Sequence, residues 1–173
     1  MTVRVGNIAT QEVDAIVNAA NSTLMGGGGV DRAIHTAAGP TVLKECQEIR
    51  ETLYPKGLPT GQAVLTSGGN LKAKYIIHTV GPIFGRNPGE ETNQLASAYH
   101  NSLKLAVEAG IKTIAFPAIS TGAYRFPPEL SAAVSSMTIE AFLLNCTELS
   151  EVRLVFFGES DLRVFRNTNK FSR

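Results

Sequence analysis

The sequence predicts an α/β domain in which a largely parallel sheet is covered by helices on both faces. Short apolar runs rich in Val and Ile, bounded by Gly, Asn or Pro, recur along the chain as buried strands do. Helical patterns fill most of the intervals between these runs, which is typical of parallel strands joined by helical crossovers. With 173 residues, 43% of them hydrophobic and 18% charged, the chain is expected to form one domain over residues 1–173.

The predicted strands follow from these apolar runs. They are Thr2 to Val5, Ala15 to Asn18, Gln62 to Thr66, Tyr75 to Val80, Thr113 to Pro117 and Val152 to Phe157. In an open parallel sheet, ligands bind at the carboxyl ends of the strands. The loops after Asn18, Val80, Pro117 and Phe157 are therefore where a site is expected.

Three helices can be placed between the strands. One begins near Val30. The second runs from Thr92 to Ala109 and ends at Gly110, with a stripe of Leu95, Ala98, Tyr99, Ser102, Leu103 and Ala106 at helical spacing. The third runs from Pro128 to Leu144, with proline in its first turn and an apolar face of Leu130, Val134, Met137 and Ala141.

Composition excludes several classes of protein. Sixteen Lys and Arg against fifteen Asp and Glu give a formal charge of +1, so no general attraction to nucleic acid or to a membrane is expected, and an anionic ligand must be held locally. No apolar run approaches the ~18 residues of a membrane span, and the N-terminus lacks a secretory apolar region, which favours a cytoplasmic protein. Cys46 and Cys146 lie far apart in segments that look helical, so neither a disulfide scaffold nor a zinc site is expected.

Two small-residue loops follow predicted strands. Gly26 to Gly29 run directly into the first helix, where backbone N–H groups and the helix dipole favour an anion. The loop PAISTGAYRFPPE, with Gly122 and Tyr124, follows the strand before the third helix. A flexible loop without ligand remains open for the glycine run alone, but two such loops suit a pyrophosphate held from both sides.

A few polar side chains stand out near the first loop. Asn18 and Asn21 flank a strand end and could bond a ribose hydroxyl and a water, or could simply close the strand. Asp31 lies in the first helical turn, where a role as a capping carboxylate or as a partner of the helix dipole is about as reasonable as a catalytic one. His35 is expected to be packed or bonded to backbone, and we assign no chemical role to His78 inside its apolar strand.

Four separated segments carry a family resemblance. They are VDAIVNAAN (13–21), GGGGVDRAIHTAAGP (26–40), PTGQAVLTSGGNLKAKYIIHTVGP (59–82) and FPAISTGAYRFPPE (116–129). Over nearly the whole chain they resemble a macrodomain of the MacroD type. The resemblance implies a three-layer α/β/α sandwich with a mixed, mostly parallel central sheet that binds ADP-ribose. It also implies hydrolysis of ADP-ribose from acidic side chains or deacetylation of O-acetyl-ADP-ribose, with no metal and no cofactor.

By position, the resemblance implies a role for each loop. Asn21 and Asp31 would be catalytic beside the distal ribose, with Asn18 supporting the loop. The pyrophosphate would be approached from one side by Gly27, Gly28, Gly29 and Val30. It would be approached from the other side by Ser120, Thr121, Gly122, Ala123 and Tyr124, with Tyr124 against the distal ribose.

At the other end, adenine would stack on Phe157, whose neighbour Phe156 points the other way. Asn7 and Ile8 would also contact the ligand at this end, although the family usually has an acidic residue before Ile8, where this chain has Asn7. A carboxylate there would accept a hydrogen bond from the adenine amine, and an amide oxygen could replace it.

Two classes of function remain on this basis. The chain is expected to be a metal-independent hydrolase acting on ADP-ribosylated protein or O-acetyl-ADP-ribose, with a water held by Asn21 and the pyrophosphate and activated by Asp31. The alternative is a reader module that binds ADP-ribose without turning it over, which needs the loops but not the carboxylate. A Rossmann oxidoreductase is disfavoured because the GxGxxG fingerprint is missing.

Overall fold

A computed structural model describes residues 1–172 and contains a six-stranded mixed sheet. The strands are β1 (Thr2–Val5), β2 (Ala15–Ala20), β3 (Ala63–Ser67), β4 (Tyr75–Val80), β5 (Thr113–Phe116) and β6 (Glu151–Phe156). The helices are α1 (Gly29–Ala38), α2 (Pro40–Thr52), α3 (Glu91–Glu108), α4 (Pro128–Leu143) and α5 (Glu159–Thr168). All six predicted strands are present, with ends that differ by at most two residues.

The strand order is β1-β6-β5-β2-β4-β3. Every neighbouring pair is parallel except β3 with β4, which is antiparallel. The sheet is therefore mixed and mostly parallel, and it brings the carboxyl ends of β2, β4 and β5 to one edge. Two glycine-containing loops that are about ninety residues apart in sequence meet at that edge.

Helices cover both faces of the sheet, as the three-layer prediction requires. One apolar core lies under α1 and α2 and includes Ile16, Ile34, Val42 and Ile76. The other lies under α3, α4 and α5 and includes Val17, Ile77, Leu103 and Phe116. Adjacent residues of one strand enter opposite cores because side chains alternate across a strand.

The two longest helices test the periodicity arguments differently. In α3 all six residues of the predicted stripe are buried, and Gly110 adopts φ 73° just beyond the helix. In α4 the predicted apolar face is wrong in most positions: Val134 is buried, but Leu130, Met137 and Ala141 are exposed. The buried face instead consists of Ser131, Ala132, Val134, Ser135, Ser136 and Ile139.

Serine can be buried on α4 because the helix itself satisfies the hydroxyl groups. Ser135 Oγ donates to the carbonyl of Ser131 at 2.7 Å, and Ser136 Oγ donates to that of Ala132 at 2.6 Å. Apolar periodicity alone therefore identified the wrong face.

Helices α2 and α5 were not predicted as separate helices from the sequence. Cys46 lies on α2 and is buried, whereas the prediction that Cys146 is helical is wrong, since it follows the end of α4. Among residues 1–172, no helix combines the length and apolar character needed to cross a bilayer.

Candidate functional site

A cleft of about 250 Å³ opens at the carboxyl ends of β2, β4 and β5. Its lining includes Asn21, Gly27, Gly28, Gly29, Val30, Asp31, Gly81, Ser120, Gly122, Ala123 and Tyr124. Most of the residues predicted for the distal ribose and the pyrophosphate thus come together in one cavity. Thr121 lies beside the cleft in a smaller neighbouring cavity, and Asn18 lies beneath it.

The glycine run forms one wall of this cleft. Gly26 and Gly29 have φ of 90° and 58°, a left-handed conformation that glycine adopts without strain. A Cβ added to Gly28 or Gly29 would meet nothing within 4 Å, so the backbone faces open space. Because α1 begins at Gly29, its first N–H groups and its dipole favour an anion in that space.

The opposite wall is the loop between β5 and α4. Ser120 has φ 67° and is buried, and its Oγ has no hydrogen-bond partner among the described residues. Its carbonyl accepts from Phe126 N at 2.9 Å, which closes the loop. Gly81, at the end of β4, packs directly on Ser120, so a side chain there would collide with the loop. A Cβ on Gly122 would enter open space.

Asp31 contributes one unpaired carboxylate oxygen to the cleft. The residue is only 4% exposed, and its Oδ1 accepts from Asn18 Nδ2 at 2.8 Å while Oδ2 has no partner. The capping alternative is wrong, because α1 is capped at Gly28 without any side-chain bond. The missing Cβ of Gly27 would lie 3.1 Å from Asp31 Oδ2 and 3.0 Å from Asn21 Nδ2. An acceptor and a donor therefore face the same small volume.

Asn21 is itself held by its loop. Its Nδ2 donates to the carbonyl of Gly26 at 3.0 Å, and its Oδ1 accepts from Thr23 N at 3.0 Å. An amide nitrogen carries two hydrogens, so one remains for a ligand or a water. The side chain thus offers a fixed donor opposite the Asp31 carboxylate.

A buried hydrogen-bond chain fixes the orientation of Asp31 from below. His78 is fully buried on β4, in register with Asn18 on β2, and its Nδ1 lies 3.1 Å from Asn18 Nδ2. Thr66 Oγ1 donates to the Ser67 carbonyl at 2.9 Å, so it must accept from His78 Nε2, also at 2.9 Å.

This chain determines the state of each member. His78 carries its proton on Nε2 and accepts through Nδ1, so Asn18 must turn its NH₂ group toward both His78 and Asp31. Burial lowers the pKa of His78 to about 3, with a further contribution from His35, which keeps the ring neutral. His78 was predicted to have no chemical role, and only the pairing of β2 with β4 brings it to Asn18.

Cys46 lies in the same buried region, close to two histidines that are distant from it in sequence. His35, Cys46 and His78 each place one ligand atom within 4.8 Å of the others. Both nitrogens of His78 are already hydrogen bonded, however, and burial raises the pKa of the Cys46 thiol to about 12. A metal ion would have to break those bonds and displace that proton, so the cluster is poorly suited to hold one.

His35 packs against Asp31 and His78, and its side chain does not bond to backbone. Its Nε2 lies 3.3 Å from Asp31 Oδ1, and neither ring nitrogen has a hydrogen-bond partner among the described residues. The ring centroid is 6.0 Å from that of His78. His35 therefore joins the buried cluster to the carboxylate at the floor of the cleft.

Tyr124 forms the outer wall of the cleft. Its phenol is half-buried, and burial raises its pKa, followed in size by the negative charge of Asp31. The Tyr124 carbonyl accepts from Phe84 N at 2.9 Å, which ties this loop to the segment after β4. The Tyr124 phenol and the Asp31 carboxylate therefore line the same cleft.

The residues predicted for adenine lie at the edge formed by β1 and β6, outside the cleft lining. Phe157 is 90% exposed, whereas Phe156 packs on Phe165 with ring centroids 5.1 Å apart, as the alternation predicted. Gly6 N donates to the Phe156 carbonyl, so the chain enters Asn7 from the same end of the β1–β6 pair at which Phe157 begins its loop. The side chain of Ile8 is buried in the core.

Asn7 uses its acceptor atom locally. Its Oδ1 accepts from Ala9 N at 2.9 Å and caps the short 3₁₀ turn Ile8–Thr10. The atom left free is Nδ2, which is a donor. A carboxylate at this position could cap with one oxygen and still offer the other to an amine.

Known proteins share this fold and these loops. The Macro domain family matches residues 17–135. A macro domain-containing protein of Caldanaerobacter subterraneus subsp. tengcongensis is 56% identical over 160 residues, covering 92% of this chain and 90% of the relative. The chain belongs to the Macro domain family.

Solved macrodomains show what some members bind. A glycine-to-valine variant of the Oceanobacillus iheyensis macrodomain with ADPR superposes with a TM-score of 0.93 at 43% identity, covering 96% of this chain and 89% of that one. The Trypanosoma brucei macrodomain in complex with ADP-ribose gives a TM-score of 0.86 at 35% identity, covering 95% of this chain and 67% of that one.

Proposed function

We propose that this protein binds ADP-ribose in the cleft and hydrolyses bonds between its distal ribose and an acyl group. The substrates are mono-ADP-ribosylated acidic side chains and O-acetyl-ADP-ribose. Related macrodomains have been solved with ADP-ribose, which supports the ligand. The unpaired Oδ2 of Asp31 carries the proposal of catalysis, because a module that only binds an anion gains nothing from a buried carboxylate beside it.

Binding would use both walls of the cleft. The N-terminus of α1 and the glycine run offer N–H groups and a favourable dipole to the pyrophosphate. The loop carrying Gly122 would close over it from the opposite side. Phe157, exposed at the β1–β6 edge, would supply the stacking surface for adenine, a contact that contributes ~1 to 3 kcal/mol.

Catalysis would use a water between Asn21 and Asp31. Asn21 Nδ2 donates to the water oxygen, the pyrophosphate helps to hold it, and Asp31 Oδ2 accepts one of its hydrogens. General-base assistance of this kind typically contributes ~10²- to 10⁴-fold. The Asn18–His78–Thr66 chain keeps Asp31 in the orientation that leaves this oxygen free.

Incubation with a protein mono-ADP-ribosylated on glutamate tests the proposal. We expect release of free ADP-ribose, measured by chromatography, from the wild-type protein and not from Asp31→Asn. A parallel incubation with O-acetyl-ADP-ribose, followed through acetate release, tests the second substrate. Tight ADP-ribose binding with no release from either substrate would establish a reader module instead.

A further inference from the structure

A second cavity of about 260 Å³ adjoins the cleft. Gly81 and Tyr124 line both cavities, so the two spaces meet at these residues. The second cavity is also lined by Ser22, Thr60, Arg86 and Gln94, whereas Asp31 and Asn21 line only the cleft. It therefore meets the cleft at Tyr124, the residue proposed to contact the distal ribose.

The segment that carries Arg86 is built into the fold. Glu91, only 8% exposed at the start of α3, accepts from Gly85 N at 2.9 Å and from Gly89 N at 3.2 Å. Both glycines have positive φ, 85° and 91°, a backbone conformation that glycine adopts without strain. Phe84 N donates to the Tyr124 carbonyl and joins this segment to the cleft wall. These bonds place Arg86 at the second cavity.

The second cavity has one charged residue in its lining. Among the described residues that line it, Arg86 carries a positive charge and the other polar side chains are neutral. Within residues 1–172, the guanidinium group makes no hydrogen bond or ion pair. Burial raises the pKa of the Tyr124 phenol, the Asp31 carboxylate raises it further, and the Arg86 guanidinium lowers it. Tyr124 therefore lies within electrostatic range of a negative group in the cleft and a positive group in the second cavity.

We propose that this cavity is the acceptor subsite, which receives the acyl group attached to the distal ribose, with Arg86 as its charge partner. This inference rests on the function proposed above. Hydrolysis adds water across the ester C–O bond, so the ribose leaves with a hydroxyl, the acceptor leaves as a carboxylate, and one proton passes to solvent. A guanidinium group donates hydrogen bonds to the ester carbonyl oxygen. It binds the carboxylate product more strongly, because the product carries a full negative charge.

Both proposed substrates fit this chemistry, since a glutamate side chain and an acetyl group both depart as carboxylates. A glutamate side chain attached to a protein needs more space than an acetyl group. The second cavity, at about 260 Å³, is about as large as the cleft, at about 250 Å³. Free ADP-ribose has nothing to place there. Arg86 should therefore affect conjugates and leave ADP-ribose affinity alone.

The test compares Arg86→Ala and Arg86→Lys, with Arg163→Ala on α5 as a control that removes the same charge from an exposed helix position. We expect Arg86→Ala to lower kcat/KM about two- to fivefold for a glutamate-linked ADP-ribosyl peptide, because an exposed charge is partly screened. Lys should restore most of the loss, and added salt should shrink it. The Kd for ADP-ribose should stay within about twofold.

O-acetyl-ADP-ribose separates the two sources of the carboxylate. An equal loss with this substrate means that the subsite recognises the carboxylate alone, and a loss confined to the peptide means that it recognises the protein acceptor. Unchanged kcat/KM for both substrates would overturn the proposal. An equal loss in Arg163→Ala, or a matching fall in ADP-ribose affinity, would overturn it as well.

A binding experiment keeps this inference separate from the proposed function. On an Asp31→Asn background, the intact peptide conjugate should bind at least about twofold more tightly when Arg86 is present than when it is replaced by Ala. If the wild-type protein cleaves neither substrate, the hydrolase proposal fails while this measurement still decides the subsite. Equal affinities of the Asp31→Asn protein and the Asp31→Asn, Arg86→Ala protein for the conjugate would reject the subsite.

Discussion

Replacing Asp31 by Asn changes the cleft at a single atom. Asn18 Nδ2 donates to Asp31 Oδ1 at 2.8 Å, and the amide oxygen of an asparagine can occupy that position and keep the buried bond. The NH₂ group then replaces Oδ2, the atom that has no partner. The substitution therefore removes the proposed base while retaining the shape of the site.

We expect a large effect on turnover and a small one on binding. Loss of a general base should lower kcat about 10²- to 10⁴-fold. The affinity for ADP-ribose should change by less than about tenfold, or ~1.4 kcal/mol, because a carboxylate beside an anionic pyrophosphate adds little to ground-state binding. The effect should thus be confined to the chemical step.

Asp31→Ala provides the structural comparison. It leaves the Asn18 amide without its partner in a fully buried position, a loss that typically costs about 1 to 3 kcal/mol of unfolding free energy. Asp31→Ala should therefore melt at lower temperature than wild type, whereas Asp31→Asn should not. Both variants should lose turnover, which separates the chemical role from the stabilising one.

Calorimetry with ADP-ribose and a release assay on the same samples decide the matter. Turnover by Asp31→Asn within about tenfold of wild type would remove Asp31 as the base. A Kd that weakens by more than tenfold in Asp31→Asn would instead make the carboxylate a binding group.

Three further changes test other parts of the site. Gly122→Glu should fold normally, because a Cβ there meets nothing within 4 Å, and should abolish ADP-ribose binding, because its charge enters the pyrophosphate space. Asn7→Asp should tighten ADP-ribose binding by about 1 kcal/mol and raise the preference over IDP-ribose, since one carboxylate oxygen can cap Ala9 N while the other accepts from the adenine amine. The folded pKa of His78, near 3, lies below the ordinary value of 6.5. As the pH falls below 6.5, the unfolded chain therefore binds a proton that the folded chain does not bind. The free energy of unfolding then decreases by up to ~1.4 kcal/mol for each pH unit. Urea unfolding between pH 5 and 6.5 should show this slope, and His78→Gln should flatten it.

Each of these has its own contrary outcome. Tight ADP-ribose binding by a folded Gly122→Glu protein would place the pyrophosphate elsewhere, and Gly122→Ala is the matched control for the added charge. Unchanged preference between ADP-ribose and IDP-ribose in Asn7→Asp would mean that residue 7 does not face the base. An equal slope in His78→Gln and wild type would assign the acid sensitivity to other groups, among which Asp14 and Glu151 have lowered pKa values that act below this range.

The sequence by itself determined the features that arise from local patterns. Strands such as Tyr75–Val80 were predicted because an apolar run bounded by breakers is a local property. The start of α1 after the glycine run and the end of α3 at Gly110 follow from backbone preferences of single residues. Long, ordered motifs were enough to indicate the family, and with it the mixed sheet that strand patterns alone did not show.

Only the tertiary structure decided which polar groups act together. His78 lies 60 residues from Asn18 along the chain, and parallel pairing of β2 with β4 places their side chains at hydrogen-bond distance. The buried serines of α4 could not be read from apolar periodicity, because their hydroxyls are satisfied by the helix itself. The position of Arg86 likewise depends on Glu91 binding two loop amides. Such contacts join segments that are distant in sequence, and local conformational preferences do not determine them. The loops that form the walls of the cleft could be predicted, because their glycine and small residues are a local property of the sequence.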